Sequence, residues 1–187
     1  MRLSKLLMLN QIKSVSTRSS GSQDVTELLL ACHQKIRHFS QVSVRLAHAH
    51  GISEAEVRQA ADGLLRYFTV ALPLHEADEN LSIHPRIRNA APPPELAGPA
   101  ADAMVDQHLA IDEVVERLIP LWTMVKAAPD KLPELSGEMC GLAQRLQELF
   151  DAHLRLEEET IFPALQKYLP QPELDVIVQE MQARRKK

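Results

Sequence analysis

Cysteine is scarce in this 187-residue chain, which has Cys32 and Cys140 and no others. They make no CxxC pair and no disulfide framework. Both fall in stretches of helical pattern and read as small buried thiols of a reducing compartment, so the expected location is cytoplasmic. Aromatic residues are also few, at 4%, while Leu, Ala and Val dominate a 45% apolar content, a balance that leans towards helix packing. No apolar run reaches the roughly 20 residues of a membrane span, so no membrane partner is expected. Positive charge is not in excess. A net charge of −4 gives no reason to expect a nucleic-acid partner. What remains is a chain long enough for one domain with a substantial core.

One frame occurs twice in that chain. His75-Glu76-Ala77-Asp78-Glu79 is followed by Pro85, and His153-Leu154-Arg155-Leu156-Glu157 by Pro163; both read H-x3-E-x5-P. Residues four apart share a helix face, so each segment aims an imidazole and a carboxylate at one point. A weaker echo links His33-x2-Ile36 to His108-x2-Ile111, at an offset of 75 residues against 78 for the H-x3-E pair. The chain thus resembles two related hairpins, each supplying a His, then a His and a Glu.

The intervening patterns predict helices. Residues 1–23 lack acidic groups and read as a loose N-terminal tail rather than a presequence. The first helix starts at Ser22 or Asp24 and runs to Gly51. The second opens at Ser53, with Glu56 completing a capping box, and Pro73 is expected to kink it without ending it. The stretch from Ala90 to Pro99, with three consecutive prolines, is not helical throughout. The third starts near Ala100 and ends at the Pro129 turn, and the fourth carries the seam from Leu135 to Leu156. A short helix follows Pro172, and Arg184 to Lys187 reads as a solvated basic tail. The expected architecture is all-α: an antiparallel up-down-up-down four-helix bundle over residues 24–170, then a short helix and basic tail over 171–187.

The histidines then fall at one height. The midpoint of His33 and His75 lies at residue 54, beside the Gly51–Ser53 join, and that of His108 and His153 falls at Asp130. The midpoint of His75 and His108 falls by the triple proline. Residues equidistant from a hairpin turn lie level, so all three joins place their flanking histidines at a common depth. Isolated polar groups in an apolar core cost several kcal/mol each, yet four imidazoles and two carboxylates meet here. They could pair with one another, or they could bind cations. Six donors exceed one tetrahedral zinc site and suit a pair of ions bridged by Glu79 and Glu157, with His33, His75, His108 and His153 two to each ion. Iron, zinc and manganese all accept such donors. His48, His50 and His38 lie off this layer, and His84 is placed near the surface. Asp112, four residues after His108, is the best further candidate, as a ligand or as a partner to an imidazole N–H.

At these residues the chain resembles the hemerythrin-like, or HHE cation-binding, family. The resemblance covers roughly residues 24–170. It rests on Ala31 to Arg37, Leu74 to Glu79, Asp106 to Ile111, and Ala152 to Glu158 with Ile161-Phe162-Pro163. It implies a four-helix bundle with two non-haem iron ions and an oxo or hydroxo bridge, His33, His75, His108 and His153 as ligands, and Glu79 and Glu157 as bridging carboxylates. Asp112 stands where oxygen-carrying members have a further His, and Glu158 competes with Glu157 because those members place the acid five residues after its His. Asn80 and His84 replace the family's acidic and aromatic residues. These differences bear on simple reversible oxygen carriage more than on metal binding. Ferritin-like proteins use Glu-x-x-His, which this chain lacks. The leading expectation is a di-iron protein that binds O2 or a related diatomic as sensor, store or carrier, rather than an enzyme. The alternatives are an enzyme acting on peroxide or NO and a metal-stabilised interaction module.

Overall fold

The structure is a computed structural model that describes residues 24–90 and 95–186. The N-terminal tail expected over residues 1–23 lies outside those residues. Among the described residues all regular elements are helical.

α1 spans Val25–Ala47 and starts where Asp24 accepts a hydrogen bond from the Thr26 N–H at 2.8 Å. Gly51, at φ 65°, turns the chain, a conformation that disfavours any side chain. Ser53 and Glu56 then cap α2, Glu54–Arg66, in a reciprocal pair. α3, Leu72–Asp78, and α4, His84–Arg88, continue the same rod to residue 88. α5 is Ala97–Ala127. It begins three residues before the expected Ala100, because Pro99 sits in the first turn, where its missing N–H costs nothing. After the 3-10 turn Pro129–Lys131, α6, Leu132–Leu156, and α7, Phe162–Tyr168, make the fourth rod. α8 is Gln171–Arg184.

Wide π-helical turns join the pieces of the second and fourth rods, at Tyr67–Ala71, Glu79–Ile83 and Glu157–Ile161. Each is followed, two residues on, by a proline: Pro73, Pro85 or Pro163. In an α-helix a proline ring clashes with the carbonyl four residues back and donates no N–H. Here the residue before each proline donates instead to the carbonyl five residues earlier: Leu72 to Tyr67, His84 to Glu79 and Phe162 to Glu157. The prolines therefore widen the rods instead of breaking them, and Glu-x5-Pro is the local sequence of the two turns that open on Glu79 and Glu157.

α1 packs on α6 and α2, and α5 packs on α6 and α2, closing a ring of four rods. The second rod and α5 run in opposite senses, since Asp62 meets Lys126 at 2.6 Å while Asn80 meets His108 at 3.0 Å. The apolar interior forms two clusters. One contains Ile36, Leu72, Ile111, Trp122, Phe150 and Leu154. The other contains Leu29, Ile83, Met104, Ile161 and the α8 residues Ile177 and Met181. Each fully buried Leu, Ile or Phe contributes about 1.5–3 kcal/mol.

α8 corrects one expectation. Arg184 and Arg185 are not a solvated end: they reach Asp78, which is wholly buried, at 2.8 and 2.7 Å. Glu180 pairs with Arg86 at 2.9 Å and accepts from the Ser82 hydroxyl at 2.5 Å. A carboxylate as deeply buried as Asp78 needs charged donors, and the last turn of α8 supplies them.

Candidate metal centre

The gap between the two apolar clusters is filled by the chain's buried imidazoles and carboxylates. His33 lies between Leu29 and Ile36 on α1, and His108 between Met104 and Ile111 on α5. His75 and Glu79 lie between Leu72 and Ile83; His153 and Glu157 lie between Phe150 and Ile161. All six side chains are at most 3% exposed, and both glutamates are at 0%. Each glutamate opens a wide turn, so it departs from a plain α-helix at the point where its side chain enters the interior. π-turns of this kind are frequent at functional sites.

The distances make a chain of close approaches. Glu79 reaches His75 Nε2 at 3.0 Å with one oxygen and His108 Nε2 at 3.1 Å with the other. Glu157 Oε2 lies 2.9 Å from His33 Nε2 and 3.5 Å from His153 Nε2. Two donor sets result: His33, His75, Glu79 and Glu157, and Glu79, His108, His153 and Glu157, each with donor atoms within 4.8 Å of one another. The two sets share both carboxylates. All four carboxylate oxygens, and the Nε2 atoms of His33, His75 and His108, are buried without a partner in hydrogen-bond geometry. Lone pairs converge there with no proton aligned between them, as the ligand shell of a cation requires.

The charges of the layer are tightly coupled. Burial lowers His33, and it lowers His153 to about 3. Both shifts favour the neutral ring, the form in which imidazole binds a metal. Burial pushes Glu157 well up, and the Glu79 charge adds to that. Burial would raise Glu79 as well, but His75 and His108 against it outweigh burial and hold it well below the usual carboxylate range. His75 moves up, because its contact with Glu79 outweighs its own burial.

The outer nitrogens show an order that the sequence did not suggest. Asn80 Oδ1 lies 3.0 Å from His108 Nδ1, and Gln107 Oε1 lies 3.1 Å from His153 Nδ1. Glu158 Oε1 lies 2.7 Å from His33 Nδ1, and Glu158 also accepts from Arg37 at 2.9 Å. The Cys32 thiol lies beside His75. Burial would raise that thiol, but the imidazole and the charges of Arg185 and Lys35 bring it below its ordinary value. Cys32 adjoins His33, Asn80 adjoins Glu79, Gln107 adjoins His108 and Glu158 adjoins Glu157. Each rod thus sets the chain neighbour of its own inward-facing residue beside an imidazole of the next rod, and the fourth rod returns to the first; three of these four neighbours lie at hydrogen-bond distance, and His75 has no partner in hydrogen-bond geometry. Such outer partners fix the tautomer and orientation of metal-binding imidazoles.

Several side chains flagged in the sequence fall elsewhere. Glu158 stands outside the donor sets and holds His33 from behind. Asp112 is in neither set, and the partner to the His108 ring is Asn80 instead. His84 pairs with Asp102 at 2.9 Å on the partly exposed side of α4. His48 ends α1 with a bond to the Val44 carbonyl, and His38 lies edge-on to Phe39. The Phe162 ring packs 5.0 Å from the His33 ring, a contact with no signal in the sequence beyond Phe preceding Pro.

A ring of helical rods around a buried layer of imidazoles and shared carboxylates defines a class of cation-binding bundles. The hemerythrin HHE cation-binding domain matches residues 24–165 of this chain. The chain belongs to that family. An uncharacterized protein of Haemophilus influenzae is 31% identical over 140 residues, which cover 71% of this chain and 73% of that protein.

Proposed function

We propose that the layer is a dinuclear iron centre. His33 and His75 would hold one ion and His108 and His153 the other, with Glu79 and Glu157 shared between them. The observation that carries this reading is the pair of donor sets sharing two carboxylates whose four oxygens are buried without hydrogen-bond partners. The four rods read as an up-down-up-down bundle with this layer at mid-height. Imidazole and carboxylate together suit iron, and bound iron would supply reversible one-electron chemistry and a position for a small ligand.

The protein's own residues do the rest. The outer partners hold the imidazoles of His33, His108 and His153 each in one tautomer. Phe162, Leu29, Ile36, Met104 and Ile111 wall the layer with apolar surface, which excludes water and slows proton delivery. Binding of O2 or a related diatomic is favoured over turnover in such surroundings, and sensing, storage or carriage is the corresponding role. Anaerobic loading with ferrous iron is expected to give two iron atoms per chain and, on admission of air, ferric absorption in the near-ultraviolet. A protein that stays colourless and retains no iron after desalting overturns the proposal.

A further inference from the structure

Outside the donor sets, α5 and the second rod carry a second row of carboxylates. Asp62 faces Lys126 and Asn80 faces His108 across the antiparallel pair. Moving four residues along each rod from the second contact sets Glu76 opposite Asp112. Glu116 follows Asp112 by four and shares its face of the helix. Glu79 follows Glu76 by three on the second rod. The row thus runs Glu116, Asp112, Glu76, Glu79, and its exposure falls in that order. Glu116 is exposed, Asp112 is half-buried, Glu76 is 8% exposed and Glu79 is fully enclosed.

Glu76 is the telling member. Its Oε1 is buried and has no hydrogen-bond partner. The Asp112 carboxyl is raised by its own burial and by Glu116, with His108 acting the other way. The register of the two rods therefore sets each acid beside the next along the row. Ionised carboxylates on facing helices repel unless a positive charge lies between them. Elsewhere on this face, Asp62 is matched by Lys126 and Asp102 by His84; neither Asp112 nor Glu116 has a basic partner in any ion pair among the described residues.

We propose that Glu116, Asp112 and Glu76 form the route by which a hydrated divalent cation reaches Glu79 and the His108–His153 side of the layer. This rests on the reading of the layer as a metal centre. Glu116 and Asp112 attract the hydrated ion at the surface. Glu76 replaces part of its water once the ion is inside, where an uncompensated cation would otherwise be too costly. Glu79 receives it. Focused acidic surface of this kind raises local cation concentration and on-rate.

The test is the rate at which metal-free protein takes up cobalt(II), followed by stopped-flow absorbance, with bound cobalt counted at the end. E116Q changes an exposed side chain and D112N is isosteric at a half-buried one, so both leave the fold in place. Each is expected to slow uptake severalfold, and to weaken its dependence on ionic strength, while the final cobalt count and spectrum match the parent. E113Q removes an exposed acid from a different face of α5 and is expected to leave the rate unchanged. Equal rates in parent, D112N and E116Q overturn the route alone, as does equal slowing by E113Q. A parent that binds no cobalt overturns the centre and the route together.

Discussion

Three of the four imidazoles in the layer, those of His33, His108 and His153, owe their orientation to a residue on another rod. The outer oxygens of Asn80, Gln107 and Glu158 lie 2.7–3.1 Å from their Nδ1 atoms. Removing partners of this kind from metal-bound imidazoles usually costs about 10–100-fold in metal affinity. Asn80→Ala and Glu158→Ala are therefore each expected to weaken metal binding within that range without unfolding the bundle, as read by competition with a chromophoric chelator. The loss at Glu158→Ala should be the smaller, because Glu158 is partly exposed and water can take its place against His33. Unchanged affinity in both would mean that the layer holds its own geometry.

At the scale of elements, the sequence revealed the rods and the inward-facing residues but not the turns between them. Amphipathic spacing placed α1, α2, α5 and α6, and the repeated H-x3-E put the glutamates beside the histidines. Both signals are local and periodic. The π-turns were not legible because the reason for the x5-P spacing lies in backbone pairing: an N–H with no proline-compatible acceptor four residues back turns to the fifth. The outer partners were illegible for another reason. Each acts across rods, so nothing in its own segment betrays it. The same holds for the last turn of α8, whose basic residues looked like an ordinary helix end until Asp78 came into view. That contact is asymmetric. Arg184→Met with Arg185→Met leaves a fully buried carboxylate unpaired and is expected to cost about 3–5 kcal/mol. Asp78→Ala leaves two guanidinium groups that are 20% and 37% exposed and can turn to water; it is expected to cost about 1–2 kcal/mol. Urea unfolding midpoints distinguish the two, and a larger loss at Asp78→Ala would contradict the assignment of the buried member as the costly one.

For the whole molecule, ligand binding is linked to folding because the donors come from all four rods and are far apart in the unfolded chain. One ion at a free concentration one hundred times its Kd adds about 2.7 kcal/mol. For a chain of this size each kcal/mol moves Tm by about 2–4 °C. Stripping metal with a chelator is therefore expected to lower Tm by roughly 5–11 °C per ion, measured by calorimetry. A Tm indifferent to chelator and to added iron would separate the layer from the stability of the fold.

The same layer parts the interior into two oily compartments that touch across charged and polar groups instead of across packed methyls. Melting is all-or-none only when every region depends on every other. In this bundle that dependence runs through a seam whose cohesion varies with what it binds. Cations there would act as rivets, making the two halves yield together; without them, the half bearing Trp122 and Phe150 and the half capped by α8 would be free to loosen at different temperatures, and the sharpness of unfolding would change along with its midpoint.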